Sequence, residues 1–389
     1  MEPFRRILVI TPAQLGDVLL CTPLIRAARR RWPTARIDVL GFARTLELLH
    51  GNPDVDELIE IPAASGRPAQ LLQAWKLRKR YDLALVTRTG DRSHLYGIVC
   101  AHTRSALLPA HGPGSFWKRR MAQHGIAPMP SAHQVLQKLQ LLGPWVDPPT
   151  TVSLVPPPAA ALPPAIEQRI AHPCVAVHVP SMWHYKQWPL EHFRRVVDAL
   201  LADDVQVILT GSGSSNDQSQ IGRLRGGDTL PGLLDVSGQL TMPQLRTLLE
   251  RVDAYMGPDT SVTHLAAAVG VPIVTVFGPT SPQDFGPWPR NHPTVQPWLR
   301  RADRQQIGNI VVLQGPDLPD RACVPCNRMG CGNHHASPSH CLEMLEPQRV
   351  LAELSVMLQR HRRPDPPPRA ALSTRRPASR PEAQCAAGQ

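Results

Sequence analysis

No apolar run in this sequence approaches the length of a membrane span. Aromatic residues are only 5% of the 389, and none form a stripe interleaved with basic residues, so a base-stacking nucleic-acid surface is not expected in the folded part. The first residues, Met1 to Arg6, run straight into Ile7-Leu-Val-Ile10, without the apolar core and cleavage site of a secretory signal. That predicts a cytoplasmic location with the eight cysteines reduced. An intact dinucleotide fingerprint is missing as well. Gly211-Ser-Gly-Ser-Ser-Asn216 has Asn where the third Gly belongs, and Asp235 lies inside the following strand rather than after it. This counts against a nicotinamide-dependent oxidoreductase.

Proline, by contrast, is abundant at 43 residues, and it breaks the pattern between Pro144 and Pro164. The chain is long enough for two domains, each with its own core. The expected division is a first domain over 1–150, a Pro-rich linker over 151–171, a second domain over 172–361 and a tail over 362–389. Net charge is +11, of which the stretch from Arg360 to Gln389 supplies +5, with seven Arg against Asp365 and Glu382. That tail has no periodic apolar face and reads as disordered; its charge suits anionic lipid or nucleic acid, or serves only for solubility. The remainder, at +6, suits an anionic substrate.

Strands alternate with helix-length segments through both halves, which predicts βαβ units and parallel sheets. In the first half, strands are expected at Arg6 to Ile10, Arg36 to Leu40, Leu58 to Ile61 and Leu83 to Val86. Helices fall at Val18 to Arg31, near Thr45 to Leu49, at Ala69 to Arg80 and at His133 to Leu142. In the second half, strands fall at Cys174 to Val179, Val205 to Leu209, Leu234 to Val236, Val252 to Met256 and Val271 to Phe277. The fold class is therefore α/β, with two Rossmann-like domains facing across a cleft. In such sheets ligands sit beyond the carboxyl ends of the strands.

The richest stretch runs from Met256 to Thr280. Gly257-Pro258 reads as a break after a strand, Asp259, Thr260 and Ser261 as capping residues, Leu265 to Val269 as a short buried helix ended by Gly270. Free N–H groups at such a helix start suit a phosphate, although an ordinary strand-to-helix turn with Asp259 as cap has the same signature. Asp17 is either a general base aimed into the cleft or an N-cap. Lys186, in the loop Pro180 to Pro189, either neutralises a diphosphate or is a solvated lysine above packed Trp side chains. Cys323, Cys326, Cys331 and Cys341, within the Cys-rich segment 323–341, are dense enough for a structural metal cluster. Their spacing fits no standard one, and packed thiols are the alternative.

Four motifs in this order resemble glycosyltransferase family 9, the ADP-heptose:lipopolysaccharide heptosyltransferases. They are Gln14-Leu-Gly-Asp-Val-Leu19, Lys186-Gln-Trp-Pro189, Asp259-Thr-Ser-Val-Thr-His-Leu-Ala-Ala-Ala268 and the Cys-rich segment, and the resemblance spans about residues 5–358. It implies a GT-B enzyme that inverts the sugar carbon and requires no metal or other cofactor. Its substrates would be a nucleotide sugar, expected to be ADP-heptose, and a lipid-linked acceptor in the lipopolysaccharide inner core. The acceptor domain would come first and the donor domain second. By carry-over, Asp17 would be the base and Lys186, aided by Ser181, would stabilise the departing diphosphate. Asp259, Thr260, Ser261 and His264 would line the donor's phosphate and ribose site, with Gly211 and Ser212 alongside. The Gly211 loop lacks the acidic residue that relatives place against the ribose, so Asp217 is the expected substitute; the Met182-Trp183-His184-Tyr185 loop also departs from the pattern. A relative using another nucleotide sugar for a different cell-surface glycan is the alternative. Peripheral contact with the inner face of the cytoplasmic membrane is expected, and no nucleic-acid partner.

Overall fold

The computed structural model describes residues 4–62, 66–110, 112, 115–226 and 230–361. The expected tail, 362–389, lies outside them. Two sheets carry the chain. The first contains β1 (Arg6–Ile10), β2 (Arg36–Phe42), β3 (Glu57–Ile61), β4 (Tyr81–Val86), β5 (Ala101–Leu107) and β6 (His124–Ile126). Its order is β3-β2-β1-β4-β5-β6, and every pairing is parallel. Around it run α1 (Leu15–Leu19), α2 (Thr22–Arg31), α3 (Ala43–Leu46), α4 (Gly66–Lys76), α5 (Asp91–Cys100), α6 (Ser115–Met121) and α7 (Gln134–Leu139).

The Pro-rich stretch holds β7 (Thr151–Val152) and α8 (Pro164–Glu167), and it buries Val152, Leu154, Val155 and Leu162. The second half adds β8 (Cys174–His178), β9 (Gln206–Thr210), β10 (Leu233–Asp235), β11 (Ala254–Pro258), β12 (Ile273–Phe277), β13 (His292–Pro293), β14 (Arg304–Ile307) and β15 (Ile310–Gln314). Its helices include α9 (Leu190–Ala202), α10 (Ser215–Arg225), α11 (Met242–Arg251) and α12 (Ser261–Val269). The second sheet is ordered β10-β9-β8-β11-β12-β15-β14, and of its pairings β14 with β15 is antiparallel. β13 pairs with β7 instead, tying the Pro-rich stretch back to the second half.

Both sheets thus repeat one plan: the first strand of the half lies beside its fourth. β1 and β8 are buried almost throughout, as strands covered on both faces must be, and their aliphatic runs follow from that. The chain direction across each sheet reverses between β1 and β4, and again between β8 and β11. These are the crevices where doubly wound sheets bind ligands.

Three local readings are corrected. The helix expected over Val18 to Arg31 is two helices, α1 and α2, and α1 begins earlier, at Leu15. Pro23 has no N–H for a continuous helix, so it sits in the first turn of α2, and the Thr22 hydroxyl donates to the Leu19 carbonyl at 2.7 Å in its place. Gly257-Pro258 does not stop its strand but ends it in register, with Pro258 beside Val276. Gly257 is there for close packing: a Cβ would strike the Tyr255 hydroxyl and come within 3.3 Å of His178 Cβ. Finally, α5, β5, α6 and β6 fill the stretch between Val86 and His133, where no element was expected. β5 reads Ala-His-Thr-Arg-Ser-Ala-Leu, too polar at its start to signal a buried strand.

Candidate active site

A cleft of about 1380 Å³ opens between the two sheets at the carboxyl ends of their strands. On the first side, Thr87 donates both its N–H and its hydroxyl to the Ile10 carbonyl, at 3.1 and 3.0 Å, so β1 and β4 release their loops side by side. Asp17 stands in the first turn of α1, after β1. It caps nothing: Gln14 is the N-cap residue. Its Oδ2 accepts from Arg88 Nη1 at 3.1 Å, and its Oδ1 is buried with no hydrogen-bond partner among the described residues. Arg88 follows β4, so this ion pair spans the crevice of the first sheet.

On the second side the loop after β8 is pinned by Gln187, which accepts from Ser181 N at 3.0 Å and donates to the Val179 carbonyl at 2.9 Å. Trp188 is fully buried beneath, donating to the Leu345 carbonyl at 3.0 Å. Lys186 ends a single 3-10 turn, His184–Lys186, and donates to Asp259 Oδ2 at 2.6 Å. It is therefore not a solvated lysine, being only 22% exposed, with Asp259 at 7%. Burial pulls the Lys186 ammonium toward deprotonation, but the Asp259 carboxylate outweighs it and the pKa rises, so the charge is kept. This second pair spans the crevice between β8 and β11.

Asp259 does not cap α12 either. Thr260 is the N-cap residue and makes no side-chain cap bond. Thr263 donates its hydroxyl to the Pro258 carbonyl at 2.6 Å and meets the Tyr255 hydroxyl at 2.9 Å, which fixes the turn. The first-turn N–H groups of α12, at Ser261 and its neighbours, have no carbonyl within the helix to meet and no cap side chain to close them. They face a cleft that Asp259, Thr260, Ser261 and His264 all line. His264 is buried, and burial pushes its pKa down to about 4, so it is neutral near neutral pH. At Gly16 the two halves meet: a Cβ there would lie 3.2 Å from His264 Cδ2.

The Gly211 loop closes on itself. Ser212 donates its N–H and its hydroxyl to Asp217 Oδ2, at 2.9 and 2.6 Å, and Asp217 N donates to Ser214 Oγ at 3.2 Å. Asp217 lines the cleft with that oxygen already engaged. At Gly211 a Cβ would come within 2.6 Å of Ile221 Cδ1, so a side chain there would have to shift that packing.

The cleft therefore gathers Asp17, Ser181 and Lys186, then Gly211, Ser212 and Asp217, then the four residues at the α12 start. Sequence reasoning missed Arg88, His178 and Lys138. Arg88 lies two residues past the end of an expected strand, which was signal enough to flag it. His178 ends β8, held by Thr210 Oγ1 at 3.1 Å and pushed down to about 4 by burial. Lys138 gave no signal, yet it is 1% exposed, with Nζ donating to Gln134 Oε1 at 3.2 Å. Burial lowers its pKa, with Asp17 and Cys21 opposing.

The four cysteines at 323–341 do not converge on one ion's reach. Among the described residues the ligand-type side chains that do are His172, Cys174 and Asp253. These form a hydrogen-bonded knot at the amino end of β8, with Asp253 Oδ2 2.7 Å from His172 Nδ1 and 2.8 Å from Cys174 N. Cys341 is buried, and burial first, then the neighbouring Cys331, Cys326 and Cys323, push its thiol up to about 12.

A carboxylate that lines the cleft thus faces a fixed cation and an open helix N-terminus across it. That constellation accepts a proton on one side and a growing phosphate charge on the other. Two Rossmann-like sheets holding such a cleft between them make a GT-B fold. A family model, glycosyltransferase family 9 (heptosyltransferase), matches residues 76–307, and the chain belongs to that family. It is similar to lipopolysaccharide heptosyltransferase 3 of Escherichia coli, 27% identical over 300 residues that cover 73% of this chain and 86% of that one. Lipopolysaccharide heptosyltransferase 2 of Escherichia coli K12 is 25% identical over 388 residues, 91% of this chain and 98% of that one. The solved E. coli ADP-heptose lps heptosyltransferase II superposes with a TM-score of 0.67 at 21% identity, covering 92% of this chain and all of that one.

Proposed function

We propose that this glycosyltransferase moves a heptose from ADP-heptose to a lipopolysaccharide inner-core acceptor, with inversion at the sugar carbon. The observation that carries the reading is the pairing of the two crevices, Asp17 with one unpartnered oxygen on one side and Lys186 held by Asp259 beside the α12 N-terminus on the other. The names of the relatives, which are lipopolysaccharide heptosyltransferases, support the sugar and the acceptor class.

In this reading residues 1–150 bind the acceptor and 172–361 the donor. The acceptor hydroxyl hydrogen-bonds the Asp17 carboxylate and gives up its proton there as its oxygen attacks the anomeric carbon. The bond from that carbon to the diphosphate breaks on the opposite face, which inverts it. The charge that grows on the diphosphate is met by Lys186, Ser181 and the N–H groups at Ser261. Asp259 holds the Lys186 ammonium in place before the donor arrives, so little reorganisation accompanies the reaction. Thr260 and the neutral His264 line the ribose end, with Gly211, Ser212 and Asp217 alongside. Lysine and helix dipole do the work of a metal in this scheme, so no cofactor is required.

Thermal shift against ADP, UDP, GDP, dTDP and NAD tests the donor, followed by transfer from ADP-heptose to heptose-deficient lipopolysaccharide core. The expected result is selective stabilisation by ADP and formation of the heptosylated product. Selective stabilisation by another nucleoside diphosphate would move the donor to a different sugar nucleotide and overturn the heptose assignment.

A further inference from the structure

The positive charge of this chain is concentrated in one place outside the tail. Residues 66–123 hold eleven Lys and Arg against Asp82 and Asp91, a net +9, although the chain up to Gln359 totals only +6. The rest of the body is therefore slightly acidic. This stretch supplies α4, α5 and α6, which lie side by side. The Tyr96 hydroxyl of α5 donates to Gln73 Oε1 of α4 at 2.8 Å. On the other flank, His94 of α5 meets Trp117 of α6 edge-on at 5.9 Å, and Lys118 pairs with Asp91 at 2.6 Å.

The same three helices leave large apolar side chains uncovered. Trp75 is 66% exposed and Phe116 75%, with Leu71 and Leu72 on α4, Leu95 on α5 and Met121 on α6 also exposed. Around them Lys76, Arg78, Lys79, Arg80, Arg92, Arg119 and Arg120 are exposed too. Asp91 is the one exposed carboxylate on these helices, and it is paired. An ordinary soluble surface scatters its apolar residues singly and mixes both signs of charge. Here aromatic and aliphatic side chains stand among cations of a single sign, the composition that suits the boundary between acyl chains and anionic headgroups.

We propose that the α4–α5–α6 face docks on an anionic lipid surface. Trp75, Phe116 and the exposed leucines enter the headgroup boundary while the Arg and Lys side chains meet lipid phosphates. The placement fits the cleft, because α5 and α6 begin at the carboxyl ends of β4 and β5, and Lys118 Nζ donates to the Thr89 carbonyl at 2.8 Å, one residue from Arg88. An acceptor anchored in that surface would present its sugar to the Asp17 side. The proposal deepens the reading of a lipid-linked acceptor and rests on it for its purpose, but vesicle binding is measured without donor or acceptor, so either can fail alone.

The test is flotation of the full chain with phosphatidylcholine vesicles, with and without phosphatidylglycerol. Binding is expected only with phosphatidylglycerol. The triple variant Leu71→Ser, Trp75→Ser, Phe116→Ser should partition about tenfold less or weaker still. Arg119→Glu with Arg120→Glu should weaken binding as well, and deletion of 362–389 should leave most of it. A Tm equal to that of the unaltered chain certifies each variant as folded, and the charge pair carries the test if the triple variant is not. Wild-type flotation by both folded variants, or loss only on tail deletion, would overturn the proposal. So would a chain that ignores vesicles and is a dimer in solution that the triple variant splits, since the face would then be a contact between copies. Equal flotation on neutral vesicles would overturn the charge half of the argument.

Discussion

The two sheets of this enzyme solve the same geometric problem with opposite polarity. In the first, the carboxylate follows the first strand and the cation follows the fourth, Asp17 and Arg88. In the second, the cation follows the first strand and the carboxylate the fourth, Lys186 and Asp259. The pairs also differ in tightness. Arg88 is 44% exposed at 3.1 Å from its partner, whereas Lys186 is 22% exposed at 2.6 Å, against an Asp259 that is 7% exposed. A loose pair leaves its carboxylate free to take a proton; a tight one holds its ammonium at a fixed point. The difference is in keeping with the proposed mechanism, which puts proton transfer in the first crevice and anion stabilisation in the second.

The largest break of that contrast should be Asp17→Asn. We predict a loss of roughly 10²- to 10⁴-fold in kcat with the ADP-induced thermal shift intact. Turnover within a few-fold of wild type would take proton transfer away from the first crevice. Lys186→Ala should cost about 10²- to 10³-fold in kcat and also shrink the ADP shift, because the diphosphate is charged before the reaction as well as during it. An undiminished shift would mean that the lysine does not meet the diphosphate.

Asp259→Asn removes the anchor but keeps the cation. A buried pair broken on one side is strongly destabilising. The partial exposure of Lys186 discounts this to roughly 1–2 kcal/mol, read as a lower Tm together with a fall in kcat smaller than that of Lys186→Ala. A Tm equal to wild type would show that the tight pair contributes nothing to the resting fold.

Acid should act next. His178 and His264 have pKa values pushed from 6.5 down to about 4 by burial. Below pH 6.5 the unfolded chain takes protons that the folded chain refuses, so their contribution is full above that pH and is lost as pH falls toward about 4. Tm should therefore drop between about pH 7 and about pH 5, with a shallower drop in His264→Gln. Parallel profiles for variant and wild type would remove His264 from the account. The smallest effect belongs to Arg88→Ala. An exposed pair is worth about 1 kcal/mol or less, so kcat should change by no more than about fivefold. A collapse as deep as that of Asp17→Asn would make the loose pair a working unit after all.

Much of the fold was open to inspection from the residues. β1 has the bounds expected for it, because an aliphatic, β-branched run is a local signal. Asp17, Lys186 and Asp259 were visible because each sits where a strand gives way to a helix or turn. Their roles were not visible. Capping stood as an equal reading for Asp259 and as the favoured one for Asp17 until Lys186 and Arg88 were seen holding them. Lys138 could not be found at all, since a lysine at helical spacing reads as the solvent side, and only the packing of α7 against α2 buries it.

The sequence by itself determined the alternation of strands and helices, hence which loops emerge at the carboxyl ends, and it determined the charge of 66–123. The tertiary structure alone decided which loops became neighbours. Asp17 and Arg88 are 71 residues apart, and Lys186 and Asp259 are 73 apart. Each pair meets because the sheet reverses its winding and lays its fourth strand beside its first. That reversal is a property of how whole βαβ units pack, and no local run of residues records it.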